Sequence, residues 1–365
     1  MIDNPAVRTR QGPGDMAKGK RRRWKLPIVV VLLFCILAIA VGTGCPPEKD
    51  AAAMEDRIVK IKEQMQPLES VRAGDYPDCV KMYFDYYGLD AEDDIEGVEH
   101  LFGTFESPGW TLAANIYRPK EYKATVVLLH GYLNHTGQFK HLIRHLLERG
   151  FAVAVYDMPG HGLSGGKRAV IDDFSQYTRT LVDYTKIVGK LTKGPHHLIG
   201  FSTGGTVAID YLLVQKGDFF DRVILAAPLV HNVAWKSSEA GYKLYSNFAD
   251  SIPRAKRNNS SDKEFLEFNR YKDVLHCRTV SLKWVKALYD WNDKMETVEA
   301  DNRSIAVIQG AKDTTVSYKY NLKFIKSKFP NATVMMVEGG RHELFNESKE
   351  LRQIVLDGAV GYLEK

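Results

Sequence analysis

The sequence has few cysteines and lacks the residue clusters that hold metal ions or phosphates. It contains four cysteines among 365 residues, and no Cys/His group has the spacing of metal ligands. No glycine-rich phosphate loop, internal repeat or low-complexity tract is present in the sequence. We therefore expect neither a metal ion nor a cofactor.

Most of the chain also lacks an excess of positive charge, although its formal net charge is +5. Residues 1–44 hold eight Lys and Arg and two Asp and Glu, which leaves 42 and 43 for the remainder, a net charge of −1. The basic balance is therefore confined to the N-terminus. It indicates membrane topology rather than nucleic-acid binding, and we expect no nucleic-acid partner.

The N-terminal region combines a basic cluster with an apolar run. Six Lys and Arg at 18–25 precede an uncharged stretch at 26–47, whose core is 27–41. This order predicts a membrane-anchored protein with its folded part on the non-cytoplasmic side. The run ends in Gly-Thr-Gly-Cys, which resembles a bacterial lipobox and makes Cys45 a lipidation candidate. An uncleaved span is the alternative, because the run approaches the ~20 residues that cross a bilayer.

The motif Gly-Phe-Ser-Thr-Gly at 200–204 directly follows an apolar run that is typical of a buried strand. Glycines around a serine permit a sharp strand-to-helix turn that exposes the hydroxyl as a nucleophile. The helix that begins at Thr203 points its N-terminal amides at the same place, where they can stabilise an oxyanion. Ser202 is therefore the predicted nucleophile.

Two later strands end in the partners that a serine nucleophile requires. Asp313 follows the apolar run at 304–310, and His342 follows the run at 332–337. The imidazole takes the serine proton, and the carboxylate fixes the imidazole tautomer. Asp301 and Glu338 are rival acids, but Asp301 precedes its strand and Glu338 lies too close to His342 along one loop. We therefore predict Asp313 and His342 as catalytic residues.

A further oxyanion donor is expected in the loop after the strand at 124–129, which continues into His-Gly-Tyr. The backbone amides of Tyr132 and Thr203 form the natural pair of donors. His130 and His135 lie in the same loop. They precede the serine in the chain, whereas the base of this kind of triad follows its serine, so we interpret both histidines as structural.

Five ordered blocks resemble the monoglyceride lipase and lysophospholipase family of α/β-hydrolases. They are a His-Gly block at 130–137, a block at 157–166 that runs from Asp to Gly and contains Gly-His-Gly, the serine motif at 200–205, the acid segment at 309–313 and the base segment at 338–342. The resemblance implies an α/β-hydrolase fold and ester hydrolysis. His161 belongs to a loop-ordering motif of that family. Phe201 and Thr203 replace the family's usual His and Met, which weakens any transfer of the exact substrate.

The alternation of strands and helices predicts a mainly parallel sheet with helices on both faces. We predict a signal or anchor segment at 1–45, a tether and N-terminal extension at 46–95, and a hydrolase core at 96–230 and 304–365. A helical cap is expected at 231–303, because a structureless loop of this length is improbable. Its aromatic residues either line an acyl channel or form the core of the cap.

The sequence therefore predicts a membrane-tethered serine ester hydrolase of the monoacylglycerol lipase or lysophospholipase type. The alternatives within enzymes are a small-ester carboxylesterase and an aminopeptidase of the S33 type on the same scaffold. The alternative outside enzymes is a non-catalytic binding module tethered to the membrane. A disulfide between Cys79 and Cys277 stays open at this point, as does the oligomeric state.

Overall fold

The structure is a computed structural model in which residues 49–255 and 257–365 are described. It contains ten strands: β1 Val98–Ser107, β2 Trp110–Pro119, β3 Thr125–Leu129, β4 Ala152–Tyr156, β5 His196–Phe201, β6 Arg222–Ala226, β7 Ser251–Pro253, β8 Thr279–Ser281, β9 Ala306–Gly310 and β10 Thr333–Val337. The apolar run at 26–41 and Cys45 lie outside the described residues. Within them, no helix is both long enough and apolar enough to cross a bilayer.

The α-helices of the described residues are α1 Lys49–Gln64, α2 Asp78–Tyr87, α3 Ala91–Asp94, α4 Lys140–Glu148, α5 Ser175–Leu191, α6 Thr203–Leu213, α7 Trp235–Tyr245, α8 Lys263–Glu267, α9 Leu282–Thr297, α10 Tyr318–Lys328 and α11 Lys349–Leu363. A π-helical turn, Phe268–Lys272, continues α8. Short 3-10 turns lie at Leu68–Ser70, Thr136–Phe139 and Leu344–Asn346.

Eight strands form one sheet in the order β1-β2-β4-β3-β5-β6-β9-β10. The first two pairings, β1 with β2 and β2 with β4, are antiparallel, and all the others are parallel. The predicted mainly parallel sheet is confirmed, and β1 and β2 add an antiparallel pair at its edge. Because parallel strands end at one edge, the loops after β3, β5, β9 and β10 meet above that edge.

The sheet is covered on both faces, as the side chains of β3 demonstrate. Val126 and Leu128 belong to one apolar cluster, which includes residues of α1, α2, α4 and α11. Val127 and Leu129 belong to the other cluster, which includes residues of α5, α6, α9 and α10. Successive residues of a strand point to opposite faces, so a strand buried on both faces is apolar throughout. This explains why β3 and β4 are recognisable in the sequence as unbroken apolar runs.

The segment before β1 differs from the tether that the sequence predicted. Residues 49–95 form three α-helices, and their apolar side chains pack onto the domain. Met54 and Ile61 of α1 are buried, and Tyr83, Phe84 and Tyr87 of α2 lie against the sheet. The charged residues of this segment occupy the exposed helix surface, so high charge did not indicate an extended chain. Cys79 in α2 and Cys277 are both free thiols.

Between β6 and β9 the chain leaves the sheet, and this stretch includes residues 231–303, for which the sequence predicts a cap. This region, called the cap below, contains α7, α8 and α9 and a small antiparallel pair of strands, β7 and β8. The two strands of three residues each were not predicted, because a strand this short leaves no alternating pattern in the sequence. Trp284 and Trp291 of α9 are buried in the core, whereas Phe248 is 85% exposed.

Candidate active site

Ser202 stands at the turn between β5 and α6. Its backbone has φ 51° and ψ −112°, a conformation that a residue with a side chain rarely adopts. The turn is held by hydrogen bonds from Ser202 N to Ala226 O (2.9 Å) and from Leu229 N to Ser202 O (3.0 Å). Backbone strain of this kind is stored at functional sites where the surrounding structure fixes it. The Ser202 side chain is thereby presented at the carboxyl edge of the sheet.

The glycines of the motif are required by close approach of neighbouring backbone. A Cβ atom added to Gly204 would lie 2.3 Å from Leu129 O, and one added to Gly200 would lie 2.5 Å from Gly204 O. Neither contact can be relieved by rotating a side chain, because both partners are backbone atoms. The two glycines therefore allow β5, the turn and α6 to pack directly against the end of β3.

Ser202, His342 and Asp313 form one continuous chain of hydrogen bonds. His342 Nε2 lies 3.1 Å from Ser202 Oγ, and His342 Nδ1 lies 2.8 Å from Asp313 Oδ2. Because Nδ1–H donates to the carboxylate, Nε2 is free to accept the serine proton. All three side chains are buried. The rival acid Asp301 instead pairs with Arg303 at 2.9 Å.

The carboxylate of Asp313 is oriented by four donors. Its Oδ1 accepts hydrogen bonds from the amides of Thr315 (2.7 Å) and Val316 (3.1 Å), and its Oδ2 accepts one from Gln309 Nε2 (3.1 Å) as well as the one from His342. Burial alone would raise the pKa of Asp313, but the charge and hydrogen bond of His342 and the two amides lower it below the usual value. Asp313 is therefore ionised wherever His342 titrates.

The electrostatics of His342 favour a base that is ready to hold a proton. Burial alone would lower the pKa of His342, but the adjacent Asp313 carboxylate raises it above the usual value. A raised pKa strengthens the imidazole as a proton acceptor and stabilises the imidazolium formed during attack by the serine.

The two predicted oxyanion donors lie on either side of Ser202. Thr203 is the next residue in the chain and begins α6, and Tyr132 follows Gly131, at which an added Cβ would lie 3.2 Å from Ser202 Cβ. Among the hydrogen bonds of the described residues, none has the amide of Tyr132 or Thr203 as its donor. Two amides beside the nucleophile without a protein acceptor are suited to hold a developing oxyanion.

The side chain of Tyr132 is fixed by the cap. Its hydroxyl donates to Ala169 O (2.9 Å) and accepts from Ser281 N (3.0 Å), while its ring stacks on Trp284 with 3.7 Å between centroids. The backbone of an expected oxyanion donor is therefore positioned by residues that come from the cap. The sequence contained no sign of this contact, because Tyr132 and Ser281 are far apart along the chain.

The three histidines that were interpreted as structural make only structural contacts. His130 Nε2 accepts from Met158 N (2.9 Å), and His161 Nδ1 lies 2.9 Å from Pro159 O. His135 Nε2 lies 3.0 Å from both carboxylate oxygens of Asp273 in the cap. These rings fix the loops after β3 and β4. Among the described residues, none of the three rings forms a hydrogen bond with Ser202.

Two residues near His342 were missed by sequence reasoning. The backbone carbonyl of Asn259, which comes from the cap, accepts hydrogen bonds from the amides of His342 (3.1 Å) and Glu343 (2.9 Å). The buried Glu343 carboxylate accepts from Asn259 Nδ2 (3.1 Å) and Asn134 Nδ2 (3.4 Å). Burial raises the pKa of Glu343. Any residue type can supply a backbone carbonyl, so the sequence could not predict the contact that Asn259 makes. Glu343 directly follows His342 in the sequence, and this adjacency was the available clue.

The described residues contain no group of three or more His, Cys, Asp and Glu side chains that could hold a metal ion. The arrangement at Ser202 contains the groups that acyl transfer requires: a hydroxyl, an imidazole within hydrogen-bond distance, a carboxylate that orients the imidazole, and two amides without a protein acceptor among the described residues.

Comparison with known proteins gives concordant matches. A family model described as "Serine aminopeptidase, S33" matches residues 120–349. A monoglyceride lipase homolog of Monkeypox virus is 24% identical over 247 residues, which cover 66% of this chain and 89% of the relative. Phospholipase YtpA of Bacillus subtilis is 28% identical over 251 residues, which cover 65% of this chain and 93% of the relative.

Among solved structures, a soluble variant of the monoglyceride lipase of Saccharomyces cerevisiae, in complex with a substrate analogue, superposes with a TM-score of 0.62. It is 18% identical, and the match covers 71% of this chain and 93% of that structure. At this identity the likeness concerns the fold, which is that of the α/β-hydrolases.

Proposed function

We propose that this chain, which belongs to the serine aminopeptidase S33 family of α/β-hydrolases, cleaves the ester bond of single-chain acyl lipids by a Ser-His-Asp triad. Its relatives make it a monoglyceride lipase-like serine hydrolase. The observation that carries this proposal is the hydrogen-bonded chain from Ser202 through His342 to Asp313, at 3.1 Å and 2.8 Å. The lipase and phospholipase names of the relatives support a lipid ester as substrate.

The proposed reaction begins with attack of Ser202 Oγ on the acyl carbonyl. His342 Nε2 takes the hydroxyl proton, while the amides of Tyr132 and Thr203 hold the oxyanion. His342 then gives the proton to the departing alcohol oxygen, which leaves an acyl-enzyme ester on Ser202. Water attacks this ester, gives its proton to His342, and releases the fatty acid with regeneration of the Ser202 hydroxyl. Asp313 stays ionised and stabilises the imidazolium in both steps.

A turnover panel with Ser202→Ala tests this proposal. We expect the wild-type chain to hydrolyse monoacylglycerols, lysophospholipids and p-nitrophenyl esters, and to react with a fluorophosphonate probe. Ser202→Ala should lose at least ~10³-fold in turnover and all labelling, because the triad acts as one unit. Retention of more than about a tenth of wild-type turnover in Ser202→Ala would contradict the assignment.

The name of the family supports a second candidate, an aminopeptidase on the same scaffold. The panel therefore includes aminoacyl amides. A higher kcat/KM for an aminoacyl amide than for every ester would replace the lipase proposal with the peptidase. The absence of turnover and of labelling for all substrates, in a folded protein, would instead support the non-catalytic binding module.

We further propose that the enzyme is tethered to a membrane, with its catalytic domain on the non-cytoplasmic side. The basic cluster at 18–25 and the apolar run at 26–41 support this topology. Intact-mass analysis of wild type and Cys45→Ser tests the manner of attachment. Lipidation predicts that Cys45→Ser loses the lipid mass and keeps an unprocessed N-terminus. A simple span predicts no change in mass beyond that of the substitution itself. Wild-type protein in the soluble cytoplasmic fraction would contradict both.

A further inference from the structure

The cap contains a small cavity lined mainly by arginines. Its volume is about 150 Å³, and the residues around it include Arg254, Arg257, Arg270 and Arg278. Asn259, Asn269 and His276 supply further polar atoms to the wall. We call this cavity the arginine pocket. Four guanidinium groups around so small a volume repel one another unless an anion lies between them.

None of the four guanidinium groups forms an ion pair with a carboxylate of the described residues. Arg257 Nη1 donates to the backbone oxygen of Thr314 (2.9 Å), Arg270 Nη2 donates to Asn258 Oδ1 (3.5 Å), and Arg254 contacts the His276 ring. For Arg278, no hydrogen bond of the side chain is found. In the same domain other arginines do find acids, such as Arg149 with Asp357 and Arg352 with Asp262. The positive charge of the pocket is therefore not neutralised by direct pairing.

The two buried carboxyl groups nearest the pocket are engaged elsewhere. Asp273 accepts hydrogen bonds from Gln138 Nε2 (2.9 Å) and Tyr87 (3.1 Å) and lies 3.0 Å from His135 Nε2. Glu343 accepts from Asn134 and Asn259. These carboxyl groups serve the loops beneath the cap and form no ion pair with the four arginines, two of which, Arg257 and Arg278, are exposed, so the pocket is open to an anion from outside the chain.

The pocket is connected to the loops that carry His342 and Asp313. Asn259, which lines the pocket, accepts the His342 amide on its carbonyl, and Arg257 donates to the carbonyl of the residue that follows Asp313. In the proposed reaction His342 gives its proton to the departing alcohol, so that alcohol lies on the His342 side of Ser202. The link through Asn259 is the basis for placing the head group of the substrate in the pocket.

We propose that the arginine pocket binds the phosphate of the substrate's head group, so that the preferred substrate is a single-chain phospholipid with an anionic head rather than a neutral monoacylglycerol. This inference rests on the proposed ester hydrolysis at Ser202. Arginine is suited to a phosphate because its planar fork donates two parallel hydrogen bonds to phosphate oxygens. A neutral glycerol head would leave the guanidinium groups without a partner.

The first test compares two substrates that share one acyl chain, a monoacylglycerol and the corresponding acylglycerol phosphate, in neutral detergent. The full-length wild type should show at least about tenfold higher kcat/KM on the phosphorylated substrate. The double variant Arg270→Gln/Arg278→Gln should lose most of this preference. Arg179→Gln removes an exposed arginine of α5, far along the chain from the cap, and is the matched control that should keep it.

An equal kcat/KM for the two substrates in the wild type would overturn the inference, as would a preference that survives in the double variant. Both results leave the proposed function standing, because the monoacylglycerol is still cleaved. If no ester were cleaved at all, the proposed function would fail, and the second test would still report on the pocket.

The second test is a calorimetric titration of the full-length protein with glycerol 3-phosphate and with inorganic phosphate. We expect glycerol 3-phosphate to bind to the wild type and to Arg179→Gln, and to bind at least about tenfold more weakly to the double variant. Binding of both phosphates without any preference for the phosphorylated lipid would assign the pocket to a free phosphate compound and overturn the head-group proposal. Absence of glycerol 3-phosphate binding to the wild type would overturn it as well.

Discussion

Two helices of eleven residues each, α6 after Ser202 and α7 in the cap, differ completely in burial. Every residue of α6, Thr203–Leu213, is buried, whereas no residue of α7, Trp235–Tyr245, is. The first helix begins at the nucleophile and lies inside the domain. The second belongs to the cap and is held by a few ring contacts, such as Trp235 on His231 at 3.8 Å.

The difference separates two requirements of an enzyme that acts on lipids. A serine in a strained turn needs surroundings that fix it, and α6 supplies them because packing on all sides leaves it no freedom. A bulky apolar substrate needs a way in, and a helix with few buried contacts costs little free energy to displace. The position of Ser202 is therefore set by α6, and we expect α7 to control the access of the substrate to Ser202.

The largest expected effect concerns the buried side of this comparison. Asp313→Asn keeps the shape of the site but removes the charge that raises the pKa of His342. We expect kcat to fall by about 10³- to 10⁴-fold. Burial, opposed then only by the Glu343 carboxyl, lowers the pKa of His342 relative to the wild type. The neutral imidazole therefore persists to lower pH, and the acid limb of the pH profile shifts downward.

The measurement is the profile of kcat/KM on a soluble p-nitrophenyl ester for wild type and Asp313→Asn. In the wild type, activity should rise with pH through the raised pKa of His342, since the base must be neutral to accept the serine proton. An acid limb that stays in place in Asp313→Asn, with the fold intact, would show that Asp313 does not set the protonation of His342.

A smaller effect is expected from adding one methyl group beneath the nucleophile. Gly204→Ala places a Cβ 2.3 Å from the Leu129 carbonyl oxygen, which can be relieved only by moving α6 or β3. We expect a loss of about 1–3 kcal/mol in the free energy of unfolding, together with reduced turnover. Chemical denaturation and activity measured on the same sample check this. Unchanged values for both would mean that α6 is not fixed as closely as its burial indicates.

On the cap side, two exposed apolar side chains allow access to be tested without touching the triad. Leu244 is 58% and Phe248 is 85% exposed. Leu244→Ser and Phe248→Ser should lower kcat/KM several-fold for a long-chain lipid in vesicles, because apolar contact contributes about 0.8 kcal/mol per buried methylene. Short soluble esters should be unaffected. Equal losses on both substrates would make these side chains structural, and no loss on either would remove them from lipid access.

The smallest effect uses the matching glycine of α7. An added Cβ at Gly241 meets no atom within 4 Å. Gly241→Ala should therefore raise the free energy of unfolding by at most about 1 kcal/mol, through helix propensity alone, and leave turnover on soluble esters unchanged. Thermal denaturation measures this. A clear destabilisation would reveal a contact of α7 that its exposure conceals.

The same contrast explains what the sequence could predict. Strands β3, β5 and β9 were recognised because burial on both faces favours apolar runs, whereas β10 is a largely exposed edge strand that was recognised from its apolar residues alone. The order of these strands led to the prediction of Ser202, Asp313 and His342. The role of Asn259 could not be predicted, since it acts through its backbone carbonyl, which every residue possesses. The packing of α1 and α2 was mistaken for a tether because exposed charges dominate the composition of a helix that buries only one face.

Tyr132 connects the two regions in a way that bears on how such enzymes diversify. Its amide is a proposed donor to the oxyanion, while its ring and hydroxyl are held by Trp284 and Ser281. A cap exchanged with that of a relative would change the entrance and also release the residue that carries one half of the anion-stabilising pair. We expect such chimeras to recover full turnover only when the graft retains an aromatic platform and a free amide opposite Tyr132. The outer helices of the cap could then vary in sequence, while residues 281–284 would be constrained because they position Tyr132.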